Sequence, residues 1–333
     1  MSAVTGTPHS KPLEESPVQR TLSNKERLIK LVHALALTVF SLGFALFFPS
    51  VQQMFYDFWT GKTITTITED NSSTPAWQSS DQPSKPQKLT IGVTFEELKA
   101  ETDEIDYELT ANVRPRFSNI PCPKETVVKV GDRSIHANWV IMPDGRTYIA
   151  SQAPVTVDFG VFWKAAFENN GFIVDITTLR DGISPYFPLE GREFYETGSV
   201  EYVNSQEMGE NLTLFTYDVR MDGKTKQVQR LHFSGWKDFD VTDMGQLIEI
   251  TKIIDKKMGV GKVPIVHCRA GVGRTGTLIS TLALRNMEKR GLLSQKNIDE
   301  TFKDVVMTGR RCRGPGFIQT EEQLEVVKAA LTV

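Results

Sequence analysis

Cys268 and Arg274 are separated by five residues in the stretch KVPIVHCRAGVGRTGT, residues 262–277. An apolar strand runs into His267 and Cys268. A glycine-bearing loop follows, and a helix is expected from near Arg274. This order of elements suits a phosphate monoester. Such a ligand needs a soft nucleophile beneath phosphorus, donors for three equatorial oxygens, and a site hostile to neutral or cationic ligands. A loop that wraps onto a helix N-terminus aims the backbone N–H groups of Arg269, Ala270, Gly271, Val272 and Gly273 inward as an anion nest. Gly271 and Gly273 permit the angles and the close approach. Arg274 adds a planar two-pronged donor that lysine does not match. The same dipoles and the Arg274 cation favour thiolate over thiol at Cys268. Thr275 is placed to donate its hydroxyl to that sulfur. A lone Cys near an Arg is common and means little. The full His-Cys-x-x-Gly-x-x-Arg-Thr pattern arises by chance on the order of 10⁻⁷ per position.

Positioning such a loop takes a sizeable domain, and the chain is long enough to build one. It has 333 residues, 40% of them hydrophobic, which excludes wholesale disorder. Lys and Arg total 38 against 41 Asp and Glu, a net charge of −3, so a globally basic nucleic-acid binder is excluded. Three cysteines, Cys122, Cys268 and Cys312, are too few and too odd for a disulfide framework. Thr94 and Glu97 have capping-box spacing before an acidic helix. The β-branched runs 172–176 and 263–266 predict buried strands, and residues 158–169 and 275–289 predict helices.

The first part of the chain differs. Residues 1–22 are polar and proline-punctuated, and are expected to be disordered. Ser23 and Glu26 open a helical segment, 23–59, that contains the apolar run 31–48. At about 1.5 Å per residue that run spans about 27 Å, close to the hydrocarbon core of a bilayer. Phe55, Tyr56, Phe58 and Trp59 supply an interfacial aromatic belt. A membrane-spanning helix is the favoured reading. A buried core helix, a cleaved signal peptide and a hydrophobic docking helix are the alternatives. Arg20, Lys25, Arg27 and Lys30 precede the run, which places the amino terminus on the cytoplasmic side of a single-pass protein. Residues 60–93, rich in Ser, Thr, Pro and Gln, form a flexible linker. The catalytic domain is expected over 94–333.

Within that domain, HCRAGVGRTG resembles the phosphate-binding loop of the cysteine-dependent protein tyrosine phosphatases. Other segments agree in family order. NVRPRFSNIP (112–121) is similar to the substrate-recognition loop, and IHANWV and YIASQAP to the paired strands after it. HFSGWKDF (232–239) is similar to the mobile acid loop, and GFIQTEEQLEVV (316–327) to the glutamine loop. HCRAGVGRT and a Phe in the recognition loop look closest to secreted bacterial enzymes of the Yersinia type. The resemblance implies an α/β, three-layer fold with a mixed central sheet and helices on both faces. It implies hydrolysis of phosphotyrosine in proteins through a cysteinyl-phosphate. Cys268 would be the nucleophile, Arg274 the phosphate clamp, Asp238 the general acid and Gln319 the water-positioning group, with Gln323 supporting it. Phe117 would stack on the substrate ring, and Trp236 would anchor the acid loop. His267 would be structural, and Cys122 and Cys312 inert. No metal or organic cofactor is expected, because the thiolate and Arg274 handle the charge.

One departure concerns the acid loop. The family reads Trp-Pro-Asp where this chain has Trp236-Lys237-Asp238. Loss of the fixed proline φ loosens the loop, and Asp240 becomes a rival acid. For the family's supporting glutamate, Glu201 is the nearest candidate. Two other functions compete: a phosphoinositide phosphatase, which a membrane anchor suits but the apolar Val272 does not, and a phosphotyrosine-binding pseudophosphatase slowed by Lys237. A secreted bacterial effector in a host membrane would reconcile an extracytoplasmic domain with cytosolic phosphotyrosine.

Overall fold

The computed structural model describes residues 89–259 and 262–331. The leader 1–22, the segment 23–59 with its apolar run 31–48, and the linker up to residue 88 lie outside the described residues. Among the described residues, no helix is long and apolar enough to cross a membrane.

The chain enters the fold at Thr90 and Gly92, whose N–H groups bond to the side chains of Gln295 and Asp299. Helix α1 (Phe95–Asp103) follows, started by the expected capping box: Thr94 Oγ1 accepts from Glu97 N, and the Glu97 carboxylate accepts from Thr94 N. Nine strands then form one sheet: β1 (Val127–Val130), β2 (Arg133–Ile141), β3 (Thr147–Gln152), β4 (Phe172–Asp175), β5 (Arg192–Tyr195), β6 (Gly198–Gly209), β7 (Leu212–Met221), β8 (Lys224–Phe233) and β9 (Ile265–Cys268). Their spatial order is β1-β2-β3-β9-β4-β8-β7-β6-β5. The pairs β3/β9, β9/β4 and β4/β8 are parallel and the outer pairs are antiparallel.

The helices are α2 (Phe159–Glu168), α3 (Met244–Lys257), α4 (Gly273–Lys289), α5 (Ile298–Arg313) and α6 (Glu321–Ala329). Helix α2 packs Phe162, Trp163, Ala165 and Ala166 on one face of the sheet, against Ile149, Ile173, Tyr217 and Val228. The other face carries Ala150, Val174, Leu231 and Val266 against side chains of α1, α3, α4, α5 and α6. The result is three layers, a mixed sheet with helices on both faces, as the resemblance implied. Strands β4 and β9 are buried along their whole length, which is why each reads as a short apolar run. Helix α4 is buried on nearly every side, with Thr277 and Thr281 hydroxyls satisfied by carbonyls four residues back.

The four parallel-paired strands end together. Register places Gln152 beside Cys268, His267 beside Asp175, and Asp175 beside His232. The segments leaving these strand ends therefore converge on the carboxyl edge of the sheet, where crevices form in open α/β folds.

Candidate active site

Cys268 is the last residue of β9 and is 2% exposed. The loop turns at once onto α4, and Gly271 makes the turn possible. Its φ is +76°, and a Cβ there would sit 2.2 Å from the backbone carbonyl of Ser151. The Gly271 N–H then donates to Cys268 Sγ at 3.3 Å. The outward side of the loop is held by a residue that sequence reasoning missed. Arg313, the last residue of α5 and fully buried, donates to the carbonyls of Ala270 (3.1 Å) and Gly271 (3.0 Å). It also donates to Asn138 Oδ1 at 2.7 Å and meets His136 Nδ1 at 3.1 Å. With the two carbonyls tied outward, the Gly271 N–H is left facing the sulfur.

Arg274 lies in the first turn of α4 with its side chain out of solvent. Its two terminal nitrogens donate to both oxygens of Asp181 at 2.9 Å each, a fork-on-fork pair. They also reach Trp236 O at 2.8 Å and Asp238 Oδ1 at 2.9 Å. Burial works against the Arg274 cation, but the bonds to Asp181 and the charges of Cys268 and Asp238 outweigh it, so its proton is held more tightly than usual. Arg274 Nε and Thr275 Oγ1 are buried and bond to no described residue. The expected Thr275 bond to the sulfur is therefore not made here; the Gly271 N–H occupies that role. Two unpartnered donors beside a cysteine are what an anion would satisfy.

The carboxylate bracing Arg274 is Asp181, not Glu201. Glu201 lies on β6 and pairs with Arg192 of the edge strand β5, across the sheet from β9. Asp181 comes from a one-turn helix, Leu179–Asp181, just after β4. Thr178 and Asp181 have capping-box spacing in TTLRDG and form that box, but nothing local marks Asp181 as the partner of Arg274. What could have found it is the need for a partner, since a buried Arg274 requires a carboxylate.

The acid-loop residues sit over this pair. Trp236 is fully buried and donates its Nε1–H to Asp240 O at 2.8 Å, closing the loop on itself. Asp238 reaches Arg274 and lies 3.8 Å from Arg269 Nη1. The Asp240 carboxylate instead accepts from its neighbour Val241 N. Lys237 in place of proline has not kept Trp236 and Asp238 from engaging Arg274. Phe239 pivots the loop at φ +58°, a left-handed conformation unusual for a bulky residue.

On the other side, the Arg269 guanidinium lies 5.1 Å from the Phe117 ring centroid. The recognition loop is pinned by Gln152, which accepts from Arg116 N (2.7 Å) and donates to Arg114 O (2.8 Å). Arg116 grips the carbonyls of Ala153 and Pro154. Gln319 precedes α6, and its N–H donates to Oε1 of the buried Gln323 at 2.9 Å. A Cβ on Gly273 would meet both glutamine side chains at 3.0–3.1 Å. Gln319 and Gln323 thus face the start of α4. The nucleophile loop, Arg274, the acid-loop residues, Phe117 and the two glutamines belong to one cluster, and Glu201 does not; Asp181, Gln152, Arg116 and Arg313 were not foreseen.

Beneath the loop lies a buried polar layer. His267 Nε2 meets Tyr186 OH at 2.7 Å and lies 3.6 Å from Asp175 Oδ1. Asp175 accepts two bonds from Arg230 (2.9 and 2.6 Å), whose guanidinium stacks 3.6 Å from the Phe187 ring centroid. Burial pushes His267 below its ordinary value. Burial also pushes the Cys312 thiol up to about 11, and raises Cys122, in keeping with inert thiols.

The protein-tyrosine phosphatase family model matches residues 112–332. Tyrosine-protein phosphatase 3 of Schizosaccharomyces pombe is 30% identical over 192 residues, covering 51% of this chain and 63% of that protein. Human tyrosine-protein phosphatase non-receptor type 7 is 28% identical over 210 residues, covering 60% of this chain and 56% of that protein. The chain spans less than two thirds of the length of both relatives. The catalytic domain of human protein tyrosine phosphatase non-receptor type 18 has the same fold, with a TM-score of 0.64 at 21% identity over 72% of this chain and 93% of that domain. With the family model matched from the recognition loop through α6, the chain belongs to the protein-tyrosine phosphatase family.

Proposed function

We propose that this domain hydrolyses phosphotyrosine in polypeptides through a cysteinyl-phosphate. The observation that carries the reading is the convergence on Arg274: one buried guanidinium is shared by Asp181, Trp236 O and Asp238, above a cysteine that accepts a backbone N–H. An incoming phosphate takes up Arg274 Nε, Thr275 Oγ1 and the N–H groups of residues 269–273. It also takes the Arg274 donor that Asp238 now accepts from, freeing that carboxyl toward the leaving oxygen. Cys268 Sγ attacks phosphorus, the P–O bond to tyrosine breaks, and Asp238 gives the phenolate its proton. Water placed by Gln319, itself held through Gln323, then attacks the cysteinyl-phosphate. Asp238 takes the water proton, and thiolate and phosphate are released. Fixed donors around a charge-rich transition state are the main catalytic contribution. Phe117 and Arg269 wall the mouth, and a deep slot admits phosphotyrosine while phosphoserine falls short of the sulfur.

The test is turnover by the full chain on phosphotyrosine, phosphoserine and phosphoinositide substrates in parallel, with Cys268→Ser as control. Phosphotyrosine alone should be hydrolysed. The Ser variant should lose turnover and keep phosphopeptide binding. Wild-type kcat in that variant would end the mechanism, and preferential phosphoinositide turnover would replace the substrate.

Two finer readings extend the proposal. The catalytic domain is taken to run over 94–333, with residues 89–93 already packed on it, tethered by the linker before them to a membrane-spanning segment at 31–48, with length, apolarity and flanking aromatics in its support. Carbonate extraction of the full chain should leave it in the membrane fraction; release into the soluble fraction leaves the docking-helix reading. The likeness to secreted Yersinia-type enzymes, and the effector role with it, rests on HCRAGVGRT and Phe117. The relatives reported above are eukaryotic.

A further inference from the structure

The phosphate nest draws on the backbone N–H of residue 269, not on its side chain. That backbone is fixed from behind, where Arg269 O accepts from Ala153 N at 3.2 Å. The side chain leaves the nest for the rim, where it is partly exposed and meets two other loops. Its guanidinium lies 5.1 Å from the ring centroid of Phe117 on the recognition loop, and Nη1 lies 3.8 Å from Oδ2 of Asp238 on the acid loop. One side chain thus ties together three loops that surround the nucleophile. Asp238 is the one anion within ion-pair reach of Arg269 among the described residues. Burial and then the charge of Arg269 lower Arg116 below its ordinary value, so the two cations repel and the Asp238 carboxylate is what offsets Arg269 at the rim.

Asp238 is held between two guanidiniums through different oxygens. Oδ1 accepts from the buried Arg274 at 2.9 Å, and Oδ2 faces Arg269. The two cations do not serve the reaction equally. Arg274 is shared with Asp181 and Trp236 O, and an incoming phosphate takes the donor that Asp238 now accepts from. Asp238 then loses its closer tie. Arg269 stays, because its contact is made on the other oxygen. With Lys237 in place of a φ-fixing proline, the loop has less backbone stiffness of its own to keep the carboxyl in place. A separation of 3.8 Å is an ion pair without a hydrogen bond, and a movement of about 1 Å closes it to one.

We propose that the Arg269 side chain is a positioning residue for the general acid: it keeps the Asp238 carboxyl over the mouth once phosphate has drawn Arg274 away. The assignment rests on the phosphatase reading above and adds a residue to its first step. As the P–O bond breaks, the Asp238 proton passes to the phenolate oxygen, and the carboxylate left behind forms beside the Arg269 cation. Charge developing there is met by a donor already in place, while Arg274 and the nest stay with the phosphoryl oxygens. Phe117 braces the guanidinium through its ring.

The experiment measures kcat/KM, which reports the steps through P–O cleavage, for the full chain on a phosphotyrosine peptide, phenyl phosphate, p-nitrophenyl phosphate and dinitrophenyl phosphate. Arg269→Gln keeps the stem and removes the charge. It should lower kcat/KM on the peptide and on phenyl phosphate by about five- to twentyfold, as a partly exposed charged contact gives. On dinitrophenyl phosphate, whose leaving group needs no proton, the loss should stay under about twofold. Arg269→Lys keeps the charge and should recover most of the loss. In an Asp238→Asn background, Arg269→Gln should cost less than about twofold more on any substrate, because the group it positions no longer acts. A loss of equal size across the series would mean that Arg269 binds phosphate or supports the fold, and overturns the proposal with the phosphatase reading intact. An undiminished rate, a failure of lysine to rescue, or a full further loss in the Asp238→Asn background overturns it equally. Absence of wild-type turnover on every substrate overturns the phosphatase reading, and the role of Arg269 falls with it.

Discussion

Asp238 and Asp240 are two residues apart and chemically identical, so position alone decides between them. Asp238 reaches the buried Arg274, while the Asp240 carboxylate is turned back onto its own loop and its carbonyl holds Trp236. An acid that protonates a phenolate matters most for poor leaving groups. Asp238→Asn is therefore expected to lower kcat on phosphotyrosine by about 10²–10⁴ and to remove the fall in kcat at higher pH. Activated aryl phosphates should suffer less. Asp240→Asn should keep the pH profile and lose only loop rigidity. Lys237→Pro should raise kcat by about two- to fivefold if closure limits turnover, because proline narrows the open ensemble. The pH–kcat profiles of the three variants decide the matter. Loss of the basic limb in Asp240→Asn alone moves the acid to Asp240, and loss in neither leaves water as the proton donor.

At the scale of elements, the site depends on helices lying closer to loops than ordinary side chains permit. Gly309, inside α5, is the sharpest case: a Cβ there would fall 2.0 Å from the ring of Phe317. Phe317 is fully buried and stands two residues before Gln319. Glycine-to-alanine in a helix interior ordinarily stabilises by about 1 kcal/mol. Here the sign should reverse, with Gly309→Ala costing about 1–3 kcal/mol in a urea titration as Phe317 is displaced. Breakdown of the cysteinyl-phosphate should slow more than its formation, seen as a larger burst of released phenol. A stabilised variant with normal steady state would contradict this packing. The same elements show what the sequence made legible. Phe172–Asp175 and Phe159–Glu168 were readable because period and apolar runs are local properties. The phosphate loop was readable because its chemistry is packed into ten consecutive residues. The strand predicted at 263–266 forms two residues later, at Ile265–Cys268, because pairing with β3 and β4 extends it to the nucleophile. Asp181 and Arg313 escaped because each acts across the fold, 93 and about 40 residues from the loop it braces. A lone Asp or Arg carries no mark of such a partner until the sheet brings them together.

Across the whole molecule, three histidines are held neutral by packing. His136 on β2 is buried against Ile120 O and the Arg313 guanidinium; burial, reinforced by that cation, pushes it down to about 3. His232 and His267 are lowered chiefly by burial, against the pull of Asp175 and with Arg230 opposing their charge. All three support the catalytic edge: His136 through Arg313, the other two through the Asp175 layer under Cys268. Each folded value lies below the unfolded value of about 6.5. As pH falls through 6.5 the unfolded chain therefore takes up protons that the native state refuses. The histidines' contribution is full above pH 6.5 and declines below it; for His136 the decline is about 1.4 kcal/mol per pH unit, down to about pH 3, and His232 and His267 act in the same direction. Asp175 has the opposite origin and adds later. Its folded value is lowered, in spite of burial, by the Arg230 guanidinium and the Thr177 hydroxyl that bond to it, so its contribution is present above pH 4 and is lost only in stronger acid. Urea unfolding at pH 7.5, 6.5, 5.5 and 4.5 should show a plateau, then a decline below pH 6 to which His136 contributes about one proton. His136→Gln keeps an acceptor for Arg313 and removes one titrating group, so it should flatten that slope by about one proton. Stability that holds level or rises between pH 6.5 and 5 would mean the histidines are already protonated in the fold, and that the layer beneath the nucleophile is cationic rather than neutral.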